Sequence, residues 1–323
     1  MKSALFAGVL ASTVAGLAAA SHDWSSLGLY VDQAPQFVRP YVLPKEKGLT
    51  AMVGQQIFRF SVTGNASGNA FTLLQTNAPD STELGVLPHI HKLHHENFYV
   101  SKGRAQLWAK LGNSTEQSRI MTQGDYGTVP HNTIHSYQIL DPDTQLTGVI
   151  QPGGFEKLFI AIGNGELESS TGTEYIPAVA SNASAGAGAS GDVLSSLTSF
   201  DVYAQLEFSP RRDLTTNNFT MGTITLSPKL SNDSIATTTA KQHLAFQMQE
   251  GELVVTINGE TARLIQGDVV FIPGATPFTY YASVPFTKFL YVSAGGDGFD
   301  ANLLANSTEW GYPTYPAHAG YTA

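Results

Sequence analysis

Apolar and polar residues alternate over short runs along most of the chain. The clearest are IFRFSVT (57–63), AFTLLQT (70–76), AQLWAKL (105–111), LVVTI (253–257) and FTKFLYVSA (286–294). A period of two places one set of side chains on a single face of an extended strand. Gly, Pro, Asn and Asp separate the runs at short intervals, so the pattern predicts an all-β sandwich or barrel. The only helix-like candidates are short, around 298–306.

One stretch breaks this texture. SNASAGAGASGDVLSS (181–196) is rich in Ser, Gly and Ala and has no large apolar residue before Val193, so it reads as a linker. The halves on either side resemble each other. ENFYVSKGRAQLWA (96–109) parallels LAFQMQEGELVVTI (244–257), and QGDYGTVPHNTIHSYQI (123–139) parallels QGDVVFIPGATPFTYYA (266–282). FEKLFIAIGNG (155–165) is matched to FTKFLYVSAGG (286–296). Three matches in one order indicate an internal duplication. The expected organisation is a leader over 1–20, a first domain over 21–165, a linker over 166–199 and a second domain over 200–323.

Composition narrows the class. Of 323 residues, 42% are hydrophobic, enough for packed cores, and only 13% are charged. The formal net charge is −9 and the longest basic tract is Arg211-Arg212, so nucleic acid is not an expected partner. MKSALFAGVLASTVAGLAAA has one early lysine, a short apolar run and small residues before Ser21, the pattern of a cleavable secretory leader. No later stretch approaches a spanning length, so no membrane association is expected. Six Asn-x-Ser/Thr sequons, at Asn65, Asn113, Asn182, Asn218, Asn232 and Asn306, agree with an extracellular glycoprotein. Cysteine is absent, so any metal must be held by nitrogen and oxygen.

Nine histidines are present, and four of them fall within GVLPHIHKLHHENFYVSKG (85–103). His89 and His91 are two apart, which puts both imidazoles on one face of a strand. A turn over 92–95 resets the parity and lets Glu96, on a returning strand, face the same cavity. His135, after a turn at 130–132, begins a further strand with Tyr137 and Ile139 on its face. His94 and His95 are assigned to the turn, in solvent-exposed or supporting roles, and His131 to the cavity mouth. Three imidazoles and one carboxylate suit manganese, iron, cobalt, nickel, copper or zinc.

The spacing His89-x-His91-x4-Glu96-x6-Gly103, followed by Gly124-x5-Pro130-x-Asn132-x2-His135, resembles the two motifs of the cupin family. Asn132 stands where that pattern has a turn glycine, a position where asparagine tolerates a left-handed backbone. In the second copy the ligand positions, counted from Gly251 and Gly267, hold Thr237, Thr239, Leu244 and Phe278, none with an imidazole or carboxylate to offer a metal. The resemblance implies a bicupin, two jelly-roll type β-barrel domains with one metal site in the first.

A narrower resemblance runs through APQFVRPYVL (34–43), TNAPDSTELGVLPHIH (76–91), DPDTQLTGVIQPGGFE (141–156) and SFDVYAQLEFSPR (199–211). These segments are similar to the fungal quercetin 2,3-dioxygenases, which are secreted, copper-dependent bicupins. The resemblance implies Cu(II) held by His89, His91, His135 and Glu96, with manganese, iron, nickel and cobalt left open by the ligand set. It implies that Glu96 removes the flavonol 3-hydroxyl proton, that dioxygen is the co-substrate, and that carbon monoxide and a depside leave. Phe98, Tyr137, Leu74, Thr76, Ile150 and Phe58 are the candidate lining of a slot for a flat aromatic substrate. Phe58 stands where that family would place a tyrosine bonded to the glutamate, and Tyr137 where it would place phenylalanine. Two other readings remain. One is an oxalate-type or other phenolic-acting cupin, although such a small dianion calls for a polar lining. The other is a non-catalytic bicupin that binds a phenolic compound or a sugar. The assembly is expected to be a monomer or a homodimer.

Overall fold

The computed structural model describes residues 27–54, 56–78, 86–163, 200–202, 219–229, 231, 234–295, 299 and 303. The expected leader over 1–20, the expected linker over 166–199 and most of the 298–306 helix candidate lie outside the described residues, as do His22, His318 and the sequons at 182, 218, 232 and 306. Asn65 and Asn113 are exposed.

The alternating runs become four antiparallel sheets. One runs in the order Phe200–Val202, Asp125–Val129, His95–Lys102, Thr144–Gln151, Thr72–Ala78, Gln56–Val62, Leu49–Val53. Its companion is ordered Val86–Ile90, Thr133–Ile139, Ala105–Leu111, Gln117–Met121. Phe98, Val100 and Leu146 of the first pack on Leu107, Tyr137 and Ile139 of the second, closing one jelly-roll core. The second half repeats this with a five-stranded sheet, ordered Tyr41–Leu43, Val269–Ile272, Leu244–Glu250, Thr287–Ala294, Phe219–Leu226. Its partner sheet is ordered Thr238–Thr239, Pro277–Ala282, Leu253–Ile257, Glu260–Leu264.

The two large sheets meet back to back. Leu73, Tyr99 and Val149 pack there with Ala245, Phe271, Leu290 and Val292. Their sequence neighbours Leu74, Phe98, Val100 and Ile150 turn the other way, into the first domain's interior. A period of two therefore serves two cores at once, which is why Thr72–Ala78 is buried at every position.

Corresponding turns confirm the duplication. Gly103 and Gly251 both have φ of 74°. A Cβ at the first would sit 2.3 Å from Thr144 Oγ1, and at the second 2.6 Å from Thr287 Oγ1, so neither position admits a side chain. Asp125 accepts from the Thr122 amide at 2.7 Å, and Asp268 accepts from the Ile265 amide at 2.9 Å. The turn asparagine, Asn132, has φ of 62°, as the motif requires.

Two details of the duplication differ from the sequence expectation. The counterpart of Thr287–Ala294 is Thr144–Gln151, since each pairs between the two equivalent strands of its own sheet. Residues 156–162 instead form an α-helix, Glu156–Ile162. Phe155, Leu158, Phe159 and Ile162 recur at helical spacing and gather on Phe58, Phe60 and Leu74. The buried Glu156 carboxylate fixes this helix by accepting from the Gly64 amide at 3.1 Å and the Thr72 hydroxyl at 2.6 Å. The second difference is register: Phe278 lies opposite Thr238, as His135 lies opposite His89. The position equivalent to His89 is therefore Thr238 rather than Thr237, because the intervening loop is one residue shorter.

Each half also lends a strand to the other. Tyr41–Leu43 pairs with Val269–Phe271 of the second domain's sheet. Phe200–Val202, beyond the linker, pairs with Asp125–Gly127 of the first. Arg59 secures the crossing and is fully buried. Its Nε donates to the Lys47 carbonyl at 2.6 Å. Nη1 donates to Ser61 Oγ at 3.0 Å, to the Gly267 carbonyl at 3.2 Å and to Gln75 Oε1. Nη2 donates to the carbonyls of Leu43 and Pro44. Burial lowers its pKa to about 10, opposed chiefly by Asp268. Arg59→Leu leaves those acceptors unpaired, so it is expected to cost roughly 3 kcal/mol or more. The check is a fall in thermal midpoint in which both domains melt together.

Candidate metal centre

Three strands and one turn build the centre. His89 and His135 are direct partners across the Val86–Ile90 and Thr133–Ile139 pair, with ring centroids 4.2 Å apart. The ladder slips between His135 and Tyr137. Within the slipped segment the Leu87 carbonyl accepts from His89 Nδ1 at 2.8 Å. His91 follows the strand end, its ring 4.6 Å from His89 and 5.3 Å from His135. Glu96 enters from the opposite sheet, paired with Val129 and Ile150. The centre thus lies between the two sheets of the first domain, and all four groups are buried or nearly so.

The hydrogen bonds fix the tautomers. His89 Nδ1 faces the Leu87 carbonyl, and His135 Nδ1 faces the Thr133 carbonyl at 3.0 Å. A carbonyl only accepts, so each Nδ1 carries the hydrogen and each Nε2 is available as a ligand. His135 Nε2 stands 3.0 Å from Glu96 Oε2, and His91 Nε2 stands 3.1 Å from Glu96 Oε1. The second contact is close but not aligned as a hydrogen bond. Lone pairs facing a carboxylate at these distances repel unless a positive charge lies between them, either a proton or a metal ion. The four ligand atoms lie within 4.8 Å of one another. Ligands at about 2.0–2.2 Å from one ion are separated by roughly 3–4.4 Å, so the set fits a single ion after small side-chain adjustments.

The electrostatics are polarised. Burial, reinforced by His135, pushes His89 down to about 3. Burial also works against a charged His91, but the Glu96 carboxylate outweighs it and raises His91 above its ordinary value. Burial would raise Glu96, yet His91 and then His135 hold it well below the usual carboxylate range.

The other predicted residues fall around this group. Phe98 and Tyr137 face each other with centroids 5.8 Å apart, on the side of Val100 and Ile139. Leu74, Ile150 and Phe58 lie on the opposite side with Phe155. Gly148, between Phe98 and Leu74 in register, could take a Cβ only if Leu74 moved, because Leu74 Cδ1 would lie 2.8 Å away. Phe58 stacks on Phe159 at 4.5 Å. Thr76 donates to Gln56 Oε1 at 3.2 Å, and Tyr137 donates to the same oxygen at 2.6 Å. Burial raises the Tyr137 phenol, so it stays protonated and donates. Its hydroxyl therefore serves Gln56 rather than Glu96.

His95 is buried as the first residue of its strand, with Nε2 3.0 Å from His131 Nδ1. His94 packs on Phe155 at 4.8 Å, and Phe155 and His91 meet edge to face at 4.7 Å. Phe155 and Gln56 are the residues the sequence reading missed. The 155, 158, 159, 162 spacing would have marked the first, and a lone glutamine in parity with Phe58 and Phe60 the second. In the second domain Phe278 and Leu244 are fully packed with Phe246, Phe289 and Phe299. An apolar core fills the space that the imidazoles hold in the first.

No family model matches the chain. The quercetin 2,3-dioxygenase of Aspergillus japonicus is 41% identical over an alignment of 352 residues, covering 91% of this chain and 99% of that protein. That of Bacillus subtilis (strain 168) is 29% identical over 132 residues, 41% of this chain and 37% of its own. Among solved structures, protein Ylba of E. coli superposes with a TM-score of 0.56 at 12% identity, covering 81% of this chain and 94% of its own. An oxalate decarboxylase of Bacillus subtilis gives 0.52 at 12% identity over 82% and 79%. These two likenesses speak for the fold alone, the cupin jelly roll.

Acid should unfold the metal-free protein through His89. Its folded pKa near 3 lies below the ordinary histidine value of about 6.5, so the unfolded chain binds the extra proton between those values. The stability it contributes is complete above pH 6.5 and is lost as pH falls toward 3. The raised His91 acts only above its ordinary value, where stability falls as pH rises through its folded value. Chelator-treated protein should therefore be most stable near pH 6.5, and His89→Asn should flatten the acid limb in melting curves across pH.

Proposed function

We propose, from the premise that this chain belongs to the quercetin 2,3-dioxygenase family, that it is a secreted copper enzyme that opens the heterocycle of flavonols and releases carbon monoxide and a depside. The chain is a dioxygenase with a His/Glu metal-binding group. The observation that carries the finer reading is the position of that group beside a lining of Phe98, Tyr137, Leu74, Ile150 and Phe58, suited to a flat aromatic molecule. An oxalate-sized dianion would find few polar partners there.

His89, His91, His135 and Glu96 would hold the copper, which supplies a Lewis-acidic, one-electron-accepting partner for a bound flavonolate. The carbonyls of Leu87 and Thr133 keep His89 and His135 in their ligating tautomer. Glu96, ionised in its cationic surroundings, takes the 3-hydroxyl proton on a carboxylate oxygen. Phe155 and the stacked Phe58 and Phe159 form an apolar wall beside His91. Dioxygen adds to the two carbons flanking the one that leaves as carbon monoxide. Both of its atoms remain in the ester and acid groups of the product, so no external reductant is required. Export belongs to the same proposal, supported by the leader over 1–20 and the sequons.

The test is loss of the visible flavonol band under dioxygen, followed by copper-, manganese- and iron-loaded protein with metal content measured in parallel. Copper-loaded protein should consume flavonol, and the absence of consumption with any of the three metals would overturn the reading. Glu96→Gln should lower turnover by about a hundredfold or more while most of the copper is retained. Equal loss of metal and activity would reduce Glu96 to a structural ligand.

A further inference from the structure

Gln56 opens the strand Gln56–Val62 and is only 2% exposed, yet it belongs to no apolar cluster. Two residues on, Phe58 points to the same face and pairs in register with Thr76. The Tyr137 hydroxyl reaches its side chain at 2.6 Å, a length typical of O–H···O rather than O–H···N, so the contacted atom is the amide oxygen. The Thr76 hydroxyl reaches the same oxygen at 3.2 Å. Two donors from two different sheets thus fix the amide, and its nitrogen is turned away from both.

The two N–H groups on that nitrogen meet no acceptor among the described residues. Nor is that nitrogen among the fully sealed side-chain atoms that lack a partner, so it is free to donate to an acceptor that enters beside it. Its place says what arrives. Tyr137 is two residues from His135 on the same strand, about 6–7 Å along it, so the amide that its hydroxyl reaches lies on the metal-bearing face of that strand. Phe98 stands over Tyr137 on one side, and Phe58 and Leu74 pack on the other. A flat molecule held at Glu96 and lying between these rings would bring its far end to Gln56.

We infer that Gln56 determines substrate specificity, its anchored amide donating a hydrogen bond to a ring oxygen of the flavonol remote from the reacting heterocycle. The inference rests on the flavonol reading above. It predicts selection for ring-hydroxylated flavonols, because the bare parent compound leaves the amide unpaired. Tyr137 and Thr76 are positioning residues: they touch the amide oxygen and hold the nitrogen on target.

The experiment compares quercetin with 3-hydroxyflavone, which keeps the reacting heterocycle but has no other ring hydroxyls. Copper-loaded wild type, Gln56→Leu and Tyr137→Phe are assayed for kcat/KM, and for anaerobic affinity by fluorescence quenching. Metal content and melting temperature are measured on each. In Gln56→Leu, quercetin affinity and kcat/KM should both fall roughly tenfold, while those for 3-hydroxyflavone change less than about twofold. Tyr137→Phe keeps the ring and half of the anchor, so it should shift the ratio in the same direction by less, and it decides the matter if the leucine variant does not fold. Equal losses for both flavonols, or an unchanged preference for quercetin, would overturn the inference. Failure of wild type to consume either compound would instead defeat the flavonol reading, and the anaerobic affinities would still report on Gln56.

Discussion

A cation buried where two domains meet sets the frame for everything else in this molecule. Arg59 satisfies its guanidinium with carbonyls of Lys47, Leu43 and Pro44, with Ser61 and Gln75, and with Gly267 of the other domain. A charge removed from water is tolerated only when such a shell is complete. Completing it fixes three things together: the start of the strand bearing Gln56 and Phe58, the departure of Tyr41–Leu43 toward the second domain, and the turn before Val269–Ile272. The back-to-back apolar interface then follows along the same strands. The metal group sits on the opposite face of that sheet, so its position is inherited from the interface.

The metal group was legible in the sequence because its signal is local. His89, His91 and Glu96 fall within eight residues, and a glycine with positive φ closes the motif at Gly103. His135 was legible for the same reason, tied to Gly124 and Pro130 by a fixed count. What could not be read was set by distant partners. Tyr41–Leu43 and Phe200–Val202 are three residues each, too short to carry a pattern, and their partners are on the far side of the linker. The role of Gln56 depends on Tyr137, 81 residues away. The segment 155–165 was misaligned for another reason: its Phe and Lys letters match those of a strand, while the spacing of its apolar residues is that of a helix. Period outweighed letter identity.

The second domain is an internal control for the first. It keeps the strained glycine turns and the aspartate that caps them, and it pairs its strands in the same order. In place of imidazoles and carboxylate it packs Phe278 and Leu244 into an aromatic interior that is sealed from water. The jelly roll is therefore indifferent to whether that space is polar. The first domain encloses four ionisable groups that the fold does not need, three of them buried and His91 nearly so, and burial without a bound cation is unfavourable for such a group.

The exchanged strands have a consequence for how such a chain can change over generations. After a duplication, one copy is usually free to decay and then to disappear. Here the second copy holds no ligand set, yet two strand pairings tie it to the first. Deleting the second half would strip the metal-bearing domain of its outer strand, Phe200–Val202, and leave Tyr41–Leu43 with no sheet to join. The second copy thus serves the first as scaffolding, through the two strands that pass between them.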